Sequence, residues 1–285
     1  MEMRFSMIKL IASDLDDTLL DRDGRISREN REVVQEAVAR GVIFTLVTGR
    51  MFHSAAPFAH ELGLDEQQPI ICYNGALIQR LSGEVLYERY LSPELAQTVA
   101  EHGRERGWTV NVYYNDELYV AEINSDVERY AAGVQVGVTA VGDLVEFIKD
   151  GGKRLAKILI PGRPEDSRDR IAELRQLVGS QVEIASSKPQ YIEITSANTT
   201  KGRALKWLAE FFGISPAEVL AIGDGNNDVS MLQAAGIAVA VGNASPAAKE
   251  AASYVTNPSW EHGVAEAIRK FVLAPDVAKQ PQTSS

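Results

Sequence analysis

The segment Met7-Ile-Lys-Leu-Ile-Ala-Ser-Asp14-Leu-Asp16-Asp17-Thr-Leu19 joins a nearly unbroken apolar run to a burst of carboxylates. Residues 7 to 12 have the texture of a strand covered on both faces, as in a parallel sheet flanked by helices. In open parallel sheets, ligands bind beyond the carboxyl ends of the strands, and that is where Asp14, Asp16 and Asp17 fall. Crowded carboxylates repel one another and need compensation, usually a divalent cation with oxygen ligands. An acidic turn that caps the following helix would look the same, so this segment alone does not decide between the two.

A second segment of the same kind tips the balance. Val219 to Ile222 runs directly into Gly223-Asp224-Gly225-Asn226-Asn227-Asp228. Two apolar strands that each end in clustered acids read as two halves of one hard-cation site. A few carboxylates plus a substrate phosphate suit magnesium, which keeps some of its waters in octahedral coordination. Gly223 and Gly225 let the backbone approach closely. Two further segments offer donors to an anion. Val42 to Val47 leads into Thr48-Gly49-Arg50, with a hydroxyl and an unhindered N–H, and Thr199-Thr200-Lys201-Gly202 opens a helix with a lysine at its start. Taken singly, Thr48 also reads as a helix cap and Lys201 as a surface lysine.

Working outward, the first third alternates strands with amphipathic helices. Ser27 caps a helix that ends at Gly41, Val42–Val47 is a strand, Met51–Leu62 a helix, and Ile70–Cys72 a third strand. The texture changes near Gly83. Glu84–Tyr90 is half-exposed, Ser92-Pro93 opens a helix to about Arg106, and Asn115-Asp116 makes a hairpin turn between Trp108–Tyr114 and Leu118–Ala121. A helix over Pro164–Val178 precedes strands at Val182–Ala185 and Tyr191–Ile194. Beyond Thr195 the first texture returns, with a helix from Thr200 to Phe212, strands at Val219–Ile222 and Ile237–Val241, and a last helix over Ala265–Val272. The pattern predicts an α/β fold with a doubly wound parallel sheet and an inserted α+β module. The core is expected over 1–82 and 191–285, the insert over 83–190, and a frayed tail over Ala274–Ser285.

Asp14-Leu-Asp-Asp-Thr, Thr48-Gly-Arg, Lys201-Gly and Gly223-Asp-Gly-Asn-Asn-Asp, in that order, resemble the four motifs of the haloacid dehalogenase superfamily. The insert between the second and third motifs, and Asn74-Gly75-Ala76, are similar to the Cof-type phosphatases with a large α/β cap. The resemblance implies a Rossmann-like core, a mobile cap, and hydrolysis of a small-molecule phosphate monoester through an aspartyl-phosphate. It makes Asp14 the nucleophile and Asp16 the acid that protonates the leaving alcohol and later activates water. Thr48 and Lys201 hold the phosphoryl group. Asp14, the Asp16 carbonyl, Asp224 and Asp228 hold Mg2+, and Leu15, Gly49, Arg50, Asn74 and Asn227 lie near phosphate or substrate. For Arg50 an internal ion pair fits as well. An acid at Asp16 favours ester hydrolysis, because the superfamily's ion-pumping ATPases and dehalogenases lack it and a poor alkoxide leaving group needs a proton. Sugar phosphates, nucleotides and phosphorylated cofactors are the implied substrates. A phosphomutase and a non-catalytic phosphate-ligand-binding regulator share the same motifs.

Composition narrows the partners. The 285 residues carry 29 Lys and Arg against 39 Asp and Glu, a net charge of −10, and no basic stripe, which argues against nucleic acid. No apolar stretch is long enough to span a membrane and no signal peptide is evident, so a cytoplasmic location is expected. Cys72 is the one cysteine and reads as a core residue. His53, His60, His102 and His262 are too scattered for a zinc site, and Trp108, Trp207 and Trp260 read as packing residues. In the insert, Tyr113, Tyr114, Arg154, Lys157 and Tyr191 are candidates for contact with substrate. The sequence is compatible with a monomer or a homodimer.

Overall fold

A computed structural model describes residues 7–274; the expected frayed tail lies, apart from Ala274, outside the described residues. Along the chain run β1 (Leu10–Ser13), α1 (Arg28–Ala39), β2 (Ile43–Leu46), α2 (Phe52–Glu61), β3 (Pro69–Cys72), β4 (Leu77–Arg80) and β5 (Val85–Glu88). There follow α3 (Pro93–Arg106), β6 (Asn111–Tyr114), β7 (Glu117–Val120), α4 (Ser125–Val134), β8 (Val138–Ala140), α5 (Leu144–Lys149), β9 (Lys157–Pro161), α6 (Ser167–Val178), β10 (Val182–Ala185) and β11 (Tyr191–Ser196). The chain closes with α7 (Lys201–Phe211), β12 (Val219–Gly223), α8 (Val229–Leu232), β13 (Ile237–Ala240), α9 (Pro246–Ala251), β14 (Tyr254–Val255) and α10 (Gly263–Ile268).

The apolar runs become a five-stranded parallel sheet in the order β14-β13-β12-β1-β2. Every residue of β1 and β12 is buried, as strands sandwiched between helices must be. The registers Ser13 opposite Ile222 and Ser13 opposite Leu46 bring the ends of β1, β12 and β2 level. This is why the acids after β1 and β12 and Thr48 after β2 meet at one edge. Buried Asn30 on α1 pins the first loop there, donating to the Leu19 carbonyl (3.1 Å) and accepting from the Ala265 amide (2.9 Å).

The third expected strand lies parallel to the end of β2 and antiparallel to a second sheet. β3 joins an antiparallel sheet with β4 and β5, and meets the parallel sheet through a parallel bridge between Val47 and Ile71 and a hydrogen bond from the Thr48 amide to the Ile71 carbonyl (2.9 Å). Near the two expected edges of the insert, Val85–Glu88 hydrogen-bonds to β4 beside the core, and Tyr191–Ser196 sits inside a six-stranded sheet ordered β10-β11-β9-β6-β7-β8. Texture reports burial, which the two neighbourhoods share, and not the hydrogen-bonding partner.

Asn115 and Asp116 make the hairpin turn with φ of 51° and 58°, the two left-handed residues that a type I′ turn needs. Two helices in the insert, α4 and α5, lie outside the expected elements. α4 is capped by Asn124, which accepts from Asp126 and Val127 amides, and α5 by Asp143. One face of the six-stranded sheet packs on α3, α5 and α6 through Val112, Ile158, Ile160, Leu174 and Ile194. Its other face, with Tyr113, Leu118 and Leu159, joins the large core beneath the parallel sheet. The space between that face and the acid-bearing edge is where the functional side chains gather. Cys72 is buried and desolvation pushes its thiol well above the usual range, so it is an inert core residue.

Candidate active site

Asp14 leaves β1 with its amide donating to the Ile222 carbonyl (2.9 Å), which seats it beside β12. The chain then turns sharply, with Asp17 left-handed at φ 58°. That turn aims the Thr18 hydroxyl back at the second acidic loop, where it donates to Asp224 Oδ1 (2.7 Å). Asp228 folds under its own loop, its Oδ2 accepting from the amides of Asp224 (2.9 Å) and Gly225 (2.8 Å). A Cβ at Gly223 would lie 2.7 Å from the Asp228 Cβ, so only glycine permits this fold-back. Lys201, at the start of α7, reaches beneath both loops and donates to Asp14 Oδ1 and Asp228 Oδ1, each at 2.6 Å.

Carboxylate oxygens of Asp14, Asp224 and Asp228 lie within 4.8 Å of one another. Among the described residues no histidine or cysteine joins them, so the donor set is all oxygen. One ammonium faces three carboxylates, and the excess shows in their proton affinities. Burial pushes the Asp14 carboxyl well up; Lys201 pulls it down, while Asp228, Asp224 and Asp16 push it further up. Burial, with Asp228 next, lifts Asp224 to about 6. Lys201 is held above the ordinary lysine range: burial opposes its charge, but Asp14 and Asp228 more than offset it. An oxygen cluster with surplus negative charge is what a divalent cation would neutralise, and the residues present fit one.

Asp16 is in a different state. Arg50 grips it with both arms of the guanidinium, Nε to Oδ2 at 2.8 Å and Nη2 to Oδ1 at 2.6 Å. Burial raises the Asp16 carboxyl, but hydrogen bonding and charge from Arg50, with Lys188 and Lys201, hold it below its ordinary value. The internal ion pair is therefore the arrangement found for Arg50, whose Nη1 also reaches the Ser54 hydroxyl (3.3 Å).

A cavity of about 110 Å³ opens above the acids, lined by Asp14, Asp16, Thr48, Gly49, Arg50, Asp224 and Asn227 from the sites read in the sequence. Lys157, Tyr130, Ser187, Lys188, Tyr191 and Glu193 close it from the six-stranded sheet and its helix. Lys201 and Asp228 lie just beneath, both almost fully buried. Leu15 is buried in the hydrophobic core, so only its backbone can face an anion. Asn74 is buried beside Asn227, whose Nδ2 donates to Asn74 Oδ1 (3.2 Å). Of the insert candidates, Lys157 and Tyr191 reach the cavity, whereas Tyr113, Tyr114 and Arg154 line a separate one. Thr18, Lys188 and Glu193 were not anticipated. The signal for Glu193 was a charged residue in the buried-looking run Tyr-Ile-Glu-Ile-Thr. A larger cavity of about 420 Å³ beside Trp108 contains none of the clustered acids.

A parallel sheet whose strand ends gather carboxylates and a lysine under a covering module places an all-oxygen cluster that could hold a cation at the mouth of a cavity. The chain belongs to the haloacid dehalogenase-like hydrolases, whose family model matches residues 11–268. It is 32% identical to the 5-amino-6-(5-phospho-D-ribitylamino)uracil phosphatase YcsE of Bacillus subtilis (strain 168), over 93% of this chain and 96% of that protein. A haloacid dehalogenase-like hydrolase from Bacteroides thetaiotaomicron superposes with a TM-score of 0.84 at 33% identity, covering 92% and 99% of the two chains. The sugar phosphatase BT4131 superposes with a TM-score of 0.80 at 25% identity, covering 92% and 98%. Among the described residues no helix is long and apolar enough to cross a membrane.

Proposed function

We propose that the enzyme is a magnesium-dependent phosphatase that hydrolyses small phosphate monoesters through a phosphoryl group carried on Asp14. The observation that carries this reading is the surplus of carboxylate over ammonium around Asp14, facing a cavity of about 110 Å³ with Thr48 and Gly49 on its rim. Asp14, Asp224, Asp228 and the Asp16 carbonyl would hold Mg2+, which would offset the repulsion between an anionic nucleophile and an anionic ester.

A side-chain oxygen of Asp14 attacks phosphorus as the bond to the alcohol oxygen breaks, and water then cleaves the acyl phosphate and regenerates the carboxylate. Lys201, 2.6 Å below, favours the ionised form of Asp14 against the burial that raises its proton affinity, and a bound cation would favour it further. The Thr48 hydroxyl and the Gly49 amide hold equatorial oxygens of the phosphoryl group. Asp16 delivers a proton to the alcohol and takes one from water. In the present conformation Arg50 keeps Asp16 an ionised base, so proton delivery requires that Arg50 release it. The proposed cap spans roughly residues 90 to 196, bounded by the strand pairing of β5 and β11. Resemblance to a ribitylaminouracil phosphatase and to a sugar phosphatase supports sugar-like phosphate monoesters as substrates.

A panel of such esters assayed for phosphate release with and without magnesium tests the reading. Turnover should require the metal and fall at least about 10³-fold in Asp14→Asn with the fold retained by circular dichroism. Isomerisation of a sugar monophosphate without phosphate release, or full activity of Asp14→Asn, would reject it.

A further inference from the structure

We infer that Glu193, a residue of the cap sheet, is a positioning residue for the phosphoryl-transfer site, acting through Asn74 and Asn227; the inference rests on the phosphatase reading above. Glu193 lies on β11 and is 3% exposed. Its Oε1 accepts from the Ser187 hydroxyl, and its Oε2 accepts from Asn74 Nδ2 at 2.5 Å, with Lys157 Nζ 3.4 Å away. With both oxygens occupied by protein groups, Glu193 is committed to organising its neighbours.

What it organises is specific. An amide side chain can sit in two orientations that differ by a flip, and only the neighbours decide between them. A carboxylate accepts and cannot donate, so Glu193 forces the Asn74 NH2 toward itself and the Asn74 carbonyl oxygen the other way. That oxygen accepts from Asn227 Nδ2 (3.2 Å), which sets the second amide. Asn227 lines the cavity in the same loop as Asp224 and Asp228. One buried carboxylate therefore orients two amides, the second of them at the reacting phosphate.

The backbone is shaped to the same end. Tyr73 and Asn74 are both left-handed, at φ 51° and 56°, an unusual conformation for tyrosine. The turn is held there by its own amides, Tyr73 N to the Arg50 carbonyl (2.9 Å) and Asn74 N to the Thr48 carbonyl (3.0 Å). The same pair of cap strands also reaches the phosphate loop directly. Lys157 on β9 donates to the Gly49 carbonyl (2.6 Å), and a Cβ at Gly49 would lie 3.1 Å from both Glu193 Oε2 and Asn74 Oδ1. Glycine at this position lets the loop, the amide and the cap carboxylate close on one another.

Glu193→Gln keeps the shape but allows the Asn74 amide to flip. It should lower kcat/KM on the order of 10- to 100-fold by the same factor for every ester in the panel, because the phosphate and not the leaving group is affected. In Asn74→Ala the added Glu193→Gln change should cost less than about twofold, since the glutamate acts through that amide. A readout independent of turnover is the side-chain NH2 resonances of Asn74 and Asn227, both of which should shift in Glu193→Gln. Should Glu193→Gln fail to fold, Asn74→Ala carries the test through the Asn227 resonance and the uniform loss of kcat/KM. An unmoved Asn227 resonance, additive losses in the double variant, or a changed ranking of esters would overturn the inference. Absence of turnover in the unmodified enzyme alongside shifted Asn227 resonances would instead overturn the phosphatase reading and leave the relay standing.

Discussion

Lys201 and Lys157 are both about 1% exposed, one under the carboxyl edge of the parallel sheet and the other under the facing sheet of the cap, yet their surroundings differ in kind. Lys201 meets Asp14 and Asp228 at 2.6 Å with Asp224 close by, so its neighbourhood keeps a negative surplus. Lys157 meets one carboxylate, Glu193, with the Gly49 carbonyl at 2.6 Å and the Tyr113 ring centroid at 4.7 Å. Burial lowers the proton affinity of Lys157 and Glu193 restores it with a net rise, so the group stays charged. A buried ion pair that balances itself has little left to offer a ligand. A cluster that does not balance is open to a cation, as the proposed function requires. The same residue type thus marks a chemical centre in one place and a support in the other.

Removing Lys201 should break that contrast most severely. Lys201→Met is expected to abolish turnover, by about 10³-fold or more, and to destabilise the metal-free protein by about 3–5 kcal/mol, because buried carboxylates lose their one cation. Denaturant unfolding at neutral pH with and without magnesium checks this, and added metal should recover part of the loss.

Lys157→Met should cost a similar ~3–5 kcal/mol by leaving Glu193 charged and alone. Unlike the Lys201 case, the loss should be largely reversed when Glu193→Gln is added, because no buried charge is then left without a partner. Failure of the double variant to regain stability would show that the Lys157 and Glu193 hydrogen bonds to Gly49 and Asn74 outweigh their mutual charge compensation.

The surplus charge also has a pH signature. Asp224 is raised to about 6, so below that pH it holds a proton that an arriving cation must displace. Magnesium affinity measured by calorimetry should therefore weaken by about tenfold or more per unit as pH falls below 6, with Asp14, whose carboxyl is also raised, adding to the loss. The metal-free protein should show the opposite trend. An acid whose folded proton affinity is raised loses stability as pH rises from its unfolded value toward 6.

The smallest effect concerns the contact between the two regions. Asp116, at the tip of the cap hairpin, accepts from the amides of Phe52 (2.9 Å) and His53 (2.6 Å) at the start of α2 and from the Tyr73 hydroxyl (2.7 Å). Asp116→Ala should cost about 1–2 kcal/mol, as for a lost helix cap, and should raise amide exchange at the start of α2.

Much of the catalytic side was legible before any coordinates. Apolar runs that end in Asp14 and in Asp224 state locally both that a strand is buried and that its end carries charge. Two such ends in a parallel sheet must share an edge, so Asp14, Thr48, Lys201 and Asp224 could be grouped from the linear order of their motifs. The Asn115-Asp116 turn was legible for the same reason, since its left-handed backbone is a property of the two residues themselves.

The cap was decided by distant partners. Tyr191–Ile194 reads as a strand in isolation, but nothing local says that it pairs with Lys157–Pro161 and belongs to the six-stranded sheet. Glu193 and Lys157 are single charges in otherwise apolar runs, and only their meeting across the sheet, with Asn74 and Gly49 from the core, gives either a purpose. Periodicity and turn chemistry depend on neighbours in the chain and can be read along it. The free energy of a buried charge depends on what lies within a few ångströms of it, and that is settled only when the chain closes.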